Sequence, residues 1–219
     1  MTDKYDRKKV EMEFDGMGED SSIVHWDANR EDIITTVGRK AMDLLDLNKK
    51  DVVLDMGTGR GRWALEISQK CKMVLGIDIS NNLLLSAKRI AESRGIENIS
   101  YFRGSFENPF EEMDLRKYRI NKIIAIYAMH HLTDPMKKRA VDNMLKILQR
   151  PGIIVIGDLM WSEPPENHRE KWDEVYYDEG DSDFPSSVEY LKNVFVSSGA
   201  EVEYVKIHPL VGIIKAKFV

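Results

Sequence analysis

Residues Val52-Val53-Leu54-Asp55-Met56-Gly57-Thr58-Gly59-Arg60-Gly61-Arg62-Trp63-Ala64 join a short apolar run to three glycines at alternate positions and then to a helix-like segment. That order predicts a buried strand, a tight turn and a helix start. Without a Cβ, each glycine lets the backbone take otherwise forbidden angles and lets a ligand approach its N–H, while the helix presents unpaired N-terminal donors. A phosphate-cradling Walker loop is excluded, because Arg62 and Trp63 stand where Lys and Ser or Thr are required. The dinucleotide fingerprint needs two residues between its second and third glycines. Gly59 and Gly61 have one between them, and Trp63 occupies the next close-packing point, which weakens that reading. A third form places an acid, here Asp55, two residues before a Gly-x-Gly-x-Gly run. Against a turn that binds nothing stands the chain entropy that three spaced glycines cost on folding.

Four further apolar runs follow. Met73 to Asp78 is a second strand closed by an acid, whose two oxygens can accept both hydroxyls of a ribose; Ser80 already offers the cap for the helix over 82–94. Ile99 to Arg103 is a third strand, ended by Gly104-Ser105-Phe106, and Lys122 to Tyr127 a fourth, running into His130-His131-Leu132. The adjacent histidines argue against a shared metal, since useful ligand pairs on a helix sit three or four apart, and no metal is expected. His130 is either a general base or a hydrogen-bonded helix-start residue. Asp134-Pro135 opens a helix with Val141, Met144, Leu145 and Leu148 on its buried stripe, and Ile153 to Ile156 is the fifth strand, closed by Gly157-Asp158. Ser186-Ser187 caps a last helix, and a hairpin over 201–218 completes the chain. Before the first strand, a helical period spans 27–47 with a cap at Asn29, and residues 1–20 are polar and read as a mobile arm. The alternation predicts a doubly wound, seven-stranded, mostly parallel α/β sheet of Rossmann-like type with a C-terminal antiparallel hairpin, ligands lying at the strand carboxyl ends.

From the lead helix to the C-terminus, about 170 residues resemble a class I S-adenosylmethionine-dependent methyltransferase. The acid-and-glycine turn, Asp78 and the His-His-Leu ending carry that resemblance. It implies S-adenosyl-L-methionine as cofactor, with Gly57, Thr58, Gly59 and Gly61 at its methionine end and Asp55 supporting its amino group. Asp78 and Ile79 would lie at the ribose, Gly104, Ser105 and Phe106 at the adenine, and Tyr127 near the sulfonium. The family pattern expects an acid near position 105; Ser105 departs from it, and Glu107 is a second candidate acceptor. A sulfonium is already an activated methyl donor, so alignment of nucleophile, methyl and sulfur supplies most of the acceleration. A base is optional, with His130, Asp158 or His25 as candidates.

The domain layout expected is an N-terminal arm or lid over 1–30 and a methyltransferase domain over 31–219, carrying an acidic, aromatic insert at 159–185. That insert holds nine acids against Arg169 and Lys171, a local charge of −7, which leaves the remainder at +2 against a net −5 for all 219 residues. Its Trp161, Trp172, Tyr176, Tyr177 and Phe184 suit either a cation site or a solvated lid whose aromatics pack on the body; Trp26 is a packing anchor or a second lid element. The acceptor expected is a small molecule. Nucleic acid is disfavoured by the global charge, although Arg60, Arg62, Lys88 and Arg89 offer a basic patch for an RNA or protein acceptor. A nicotinamide oxidoreductase lacks its glycine spacing, and a catalytically silent cofactor-binding protein is the remaining alternative. A single cysteine, Cys71, the absence of a membrane-length apolar run and a polar N-terminus fit a cytoplasmic protein; no motif specifies an oligomeric state.

Overall fold

The computed structural model describes residues 5–17, 31–178 and 182–219. Its strands follow the apolar runs: β1 (Val52–Met56), β2 (Met73–Asp78), β3 (Ile99–Arg103), β4 (Lys122–Ile126), β5 (Gly152–Trp161), the two-residue β6 (Ser186–Ser187), β7 (Glu201–His208) and β8 (Val211–Phe218). The sheet order is β3-β2-β1-β4-β5-β8-β7, with β6 paired to the end of β5. The first five strands are mutually parallel, and β8 is antiparallel to both its neighbours. The doubly wound sheet with its C-terminal hairpin is thus present. Strand order reverses between β1 and β4, which opens a crevice at their carboxyl ends.

Helices cover both faces. They are α1 (Arg7–Gly16), α2 (Ile33–Leu45), α3 (Arg62–Ser68), α4 (Asn81–Ser93), α5 (Asp134–Ile147) and α6 (Val188–Ser197). Because successive strand residues point to opposite faces, Val53 joins Ile34, Val37, Trp63 and Leu84 of α2, α3 and α4 in one core, while Leu54 joins Val141, Met144, Leu191 and Phe195 of α5 and α6 in the other.

Three local differences from the sequence reading bear on the site. The polar arm contains a helix, α1, whose first turn is capped by Asp6; its carboxylate accepts from the N–H of Lys8 at 2.9 Å and of Lys9 at 3.2 Å. The lead helix α2 is capped by Asp32, which accepts from Thr35 N–H at 2.7 Å; the expected start at Asp27 and cap at Asn29 lie outside the described residues. Strand β5 runs five residues past Ile156, because Gly157, Asp158 and Leu159 continue pairing with Ile213, Gly212 and Val211 of β8. Asp158 therefore sits inside a strand rather than after one.

Candidate active site

The glycine turn leaves β1 with positive φ at all three glycines: 73° at Gly57, 54° at Gly59 and 79° at Gly61. A Cβ at Gly57 would collide with that of Ala128, whereas at Gly59 it would meet no atom of the described residues within 4 Å. The turn is tied to β2 by bonds from Gly57 and Thr58 N–H to the carbonyl of Ile77, at 2.9 and 3.0 Å. Asp55 is fully buried and accepts from the Thr58 hydroxyl at 2.7 Å. Burial pushes its carboxyl up to about 7, reinforced by the charge of Asp78 and opposed by the Thr58 bond. At the end of β2, one oxygen of Asp78 accepts from Gly59 N–H at 2.8 Å and the other from Ser80 N–H at 2.9 Å. Each oxygen retains capacity for a further hydrogen bond.

Beside this turn, at the carboxyl ends of the strands where ligands bind in sheets of this kind, lies a cavity of about 110 Å³. Of the residues singled out from the sequence, Gly57, Gly59, Asp78, Ile79, Gly104, Ser105, Phe106 and Tyr127 line it, as does Glu107. Asp55, Thr58 and Gly61 do not. They hold the turn from behind: Gly61 caps α3 and bonds back to the Thr58 carbonyl at 2.9 Å. The Ser105 hydroxyl accepts from Asn108 N–H at 3.1 Å, which shapes the loop after β3, and the Glu107 carboxylate takes the hydroxyl of Tyr5. His25 and Trp26 lie outside the described residues.

The roof comes from α1 and the residue preceding it by two. Tyr5, Val10 and Phe14 line the cavity, and the Phe14 ring meets His131 edge-on with centroids 5.1 Å apart. Ion pairs pin the helix to the body: Arg103 to Glu11 at 2.5 Å, and Arg7 to Glu111 at 2.6 Å. Asp15 accepts from the Ser80 hydroxyl at 2.5 Å. No described residue between 159 and 178 lines the cavity. In that acidic segment, Tyr177 packs edge-on to Trp161 and Trp172, and the Arg169 guanidinium lies 4.9 Å from the Trp172 ring centre. A cation from the chain itself thus sits on that ring.

At the end of β4, Tyr127 adopts a left-handed backbone, φ 49°, and its buried hydroxyl has no hydrogen-bond partner among the described residues. A short 3-10 turn, Met129–His131, follows. Asp158 organises it, one oxygen accepting from the N–H of Met129 at 2.7 Å and His130 at 3.1 Å, the other facing His130 Nδ1 at 2.5 Å. Neither His130 nor Asp158 lines the cavity; the wall residue is His131. Asp183, returning from the acidic segment, lies 3.4 Å from His130 Nε2 and 3.3 Å from His131 Nδ1. Burial alone would lower the His130 pKa, but the carboxylates of Asp158 and Asp183 outweigh it and the net direction is upward. Burial would raise Asp158, and the facing imidazole with the backbone donors brings it below the usual carboxylate range.

Sequence reasoning missed Asp183 and Lys137. The ammonium of Lys137 donates to the Ser186 hydroxyl at 2.6 Å and to the Phe184 carbonyl, holding the segment that carries Asp183. Burial lowers its pKa to about 8. The signal was its place on the apolar stripe of α5, four residues before Val141 and seven before Met144.

Fold and turn together define a doubly wound, Rossmann-like protein with a cavity at the strand-order switch. A family model described as "Methyltransferase domain" matches residues 47–197, and the chain belongs to that family. It is an enzyme, and its cofactor is S-adenosylmethionine. An uncharacterized methyltransferase of Oceanobacillus iheyensis is 26% identical over 204 residues, covering 90% of this chain and 91% of that one. A 23S rRNA (uracil(1939)-C(5))-methyltransferase of Pasteurella multocida is 30% identical over 101 residues, 43% of this chain but 23% of that protein. Among solved structures, an S-adenosylmethionine-dependent methyltransferase from Aquifex aeolicus superposes with a TM-score of 0.63 at 18% identity, covering 98% of this chain and all of the other. Magnesium protoporphyrin IX methyltransferase from Synechocystis gives 0.69 at 13%, with 98% and 100% covered. Among the described residues no helix is long and apolar enough to cross a membrane.

Proposed function

We propose that this methyltransferase acts on a small molecule held beneath α1. The observation that carries the reading is the roof: Tyr5, Val10 and Phe14 line the same cavity as the glycine turn, so an acceptor must fit between α1 and the strand ends. The basic residues weighed as a nucleic-acid surface support it. Arg60 is buried and donates to Met17 O and Ser86 Oγ, both at 2.9 Å, and Arg62 is buried against Trp63 and bonded to Thr35. Only Lys88 and Arg89 of that group remain exposed. The similarity to the rRNA methyltransferase spans less than half of this chain and under a quarter of that protein.

The cofactor supplies the activated methyl group; the chain supplies binding, orientation and exclusion of water. Asp78 takes the ribose hydroxyls, and Gly59 admits the ligand backbone-close. Gly104, Ser105 and Phe106 border the adenine, and Tyr127, Ala128 and His131 border the acceptor. Asp158 and His130 act by setting the turn that aims Tyr127 and His131, since neither reaches the cavity wall. Incubating the protein with methyl-tritiated S-adenosylmethionine and a cell extract, then separating products by size, tests the acceptor class. Label in the fraction below about 1 kDa supports a small acceptor, and label confined to RNA or protein refutes it.

A further inference from the structure

The groups around His130 converge from three separate parts of the chain. Asp158 fixes His130 Nδ1 at 2.5 Å, which turns Nε2 toward Asp183 at 3.4 Å. His131 Nδ1 donates to the Ser182 carbonyl at 3.0 Å and lies 3.3 Å from the same Asp183 oxygen. Successive residues of a 3-10 helix point about 120° apart, so adjacent histidines do not meet by backbone geometry alone. Here they occupy a 3-10 turn, and their ring centres lie 4.0 Å apart. Asp183 arrives from 52 residues away, so the sequence spacing of the pair gives no hint of a third partner.

We propose that His130 Nε2, His131 Nδ1 and Asp183 Oδ1 form a binding site for a divalent first-row transition metal at the acceptor end of the cavity. Each residue offers one ligand atom, and the three lie within 4.8 Å of one another; His131 Nδ1 would exchange its hydrogen bond to the Ser182 carbonyl for the metal, its proton moving to Nε2, which has no hydrogen-bond partner among the described residues. Metal–ligand bonds of about 2.0–2.2 Å place neighbouring donors of a tetrahedral ion about 3.3–3.5 Å apart, matching both Asp183 separations. Two imidazoles and one carboxylate suit zinc or iron(II), and three protein ligands leave at least one position open. Asp158 supplies the carboxylate behind a metal-bound histidine that fixes its tautomer. Lys137, bonded to Ser186 and to the Phe184 carbonyl, holds the Asp183 segment in place. In the tautomer that donates from Nδ1 to Asp158, Nε2 of His130 presents its lone pair toward Asp183, where a bound cation would take the place of a proton between them.

His131 belongs both to this cluster and to the cavity wall, so the open position adjoins the acceptor compartment. The metal would take an acceptor hydroxyl or thiol as its further ligand and lower that group's pKa, its proton passing to bulk water. This role rests on the small-acceptor reading; binding of the ion does not.

Cobalt(II) titration of tag-free protein, followed by visible absorption, tests the site without cofactor, acceptor or turnover. The expected result is one equivalent bound with the intense d–d bands of a four- or five-coordinate ion. Adding 2-mercaptoethanol should produce a thiolate-to-cobalt charge-transfer band. Asp183→Asn, similar in volume, should weaken cobalt binding by about 100-fold, the upper end of what even outer-shell partners contribute, while leaving S-adenosylhomocysteine affinity within about twofold. Zinc X-ray absorption of the unaltered protein should show two imidazole shells, a result independent of how well any variant folds. Failure of the unaltered protein to retain cobalt or zinc through dialysis overturns the proposal and leaves a proton between the paired groups. Unchanged binding by Asp183→Asn overturns the ligand set. A cobalt spectrum indifferent to the thiol overturns the acceptor role alone. Labelled methyl groups found on RNA or protein would sink the small-acceptor reading with the cobalt result unaffected.

Discussion

Replacing Asp78 by Asn separates what this carboxylate does for the turn from what it does for the ligand. Its two oxygens accept from different backbone donors, Gly59 N–H at 2.8 Å and Ser80 N–H at 2.9 Å. An amide has one oxygen, so whichever way it turns its NH2 faces one of these donors. Losing a hydrogen bond to a charged group costs about 1.5–3 kcal/mol, and the buried donor left behind adds to it. Against this, burial raises the Asp78 pKa, so removing the charge recovers part of its desolvation, and the net loss of stability should be about 1 kcal/mol. Ligand binding suffers separately. One ribose hydroxyl loses its charged acceptor, a further 1.5–3 kcal/mol or so, which at about 1.4 kcal/mol per decade is a 10- to 100-fold rise in Kd. Thermal unfolding reads the first effect and calorimetric titration with S-adenosylhomocysteine the second. A folded variant that binds within twofold of the unaltered protein would refute the assignment of Asp78 to the ribose.

Phe14→Ala should raise the acceptor KM about 10-fold, as expected for removing a large apolar contact, while the Kd for S-adenosylhomocysteine stays within about threefold; a larger loss of cofactor than of acceptor affinity would place α1 over the wrong end of the cavity. Asp55 gives a pH dependence. Its carboxyl rises from 3.8 in the unfolded chain to about 7 in the folded one, so between these values the folded state binds the extra proton and stability falls as pH rises, the penalty being complete above about 7. Relative to the unaltered protein, Asp55→Asn, whose amide oxygen can still accept from Thr58, should gain up to about 4 kcal/mol in going from pH 4 to pH 8; denaturant titrations at both values check the sign, and no relative gain contradicts it. At the far end of the sheet, Asp51 lies 3.2 Å from the buried Lys122 ammonium, and Asp51→Ala should cost about 3–5 kcal/mol by leaving that charge without its carboxylate, read as a fall in the denaturation midpoint.

The parallel sheet was legible because every strand is an apolar run closed by a turn signal, and Asp55, the glycines and Asp78 follow those runs directly. Strand β5 was underestimated because Gly157 and Asp158 look like a turn; their pairing with β8 depends on a strand some 55 residues away. Helix α1 escaped notice because Val10 and Phe14 are its main apolar contacts, too narrow a stripe to register, and it is held by pairs such as Arg103–Glu11 that join distant parts of the chain. Arg60 and Arg62 read as surface charge because their partners, Met17, Ser86 and Thr35, come from other elements. Asp183 was one of nine acids in a solvated-looking segment, and nothing local distinguishes it. What sequence periodicity records is burial against a sheet; which polar groups meet across elements is settled by topology.

A crystal structure of the protein with S-adenosylhomocysteine tests the account most directly. It should show ribose oxygens within hydrogen-bond distance of Asp78, adenine beside Ser105 and Phe106, and the sulfur facing Tyr127 and His131 beneath Phe14. A ligand bound away from Asp78, or a sulfur turned from the space under α1, would contradict both the cofactor placement and the enclosed acceptor site.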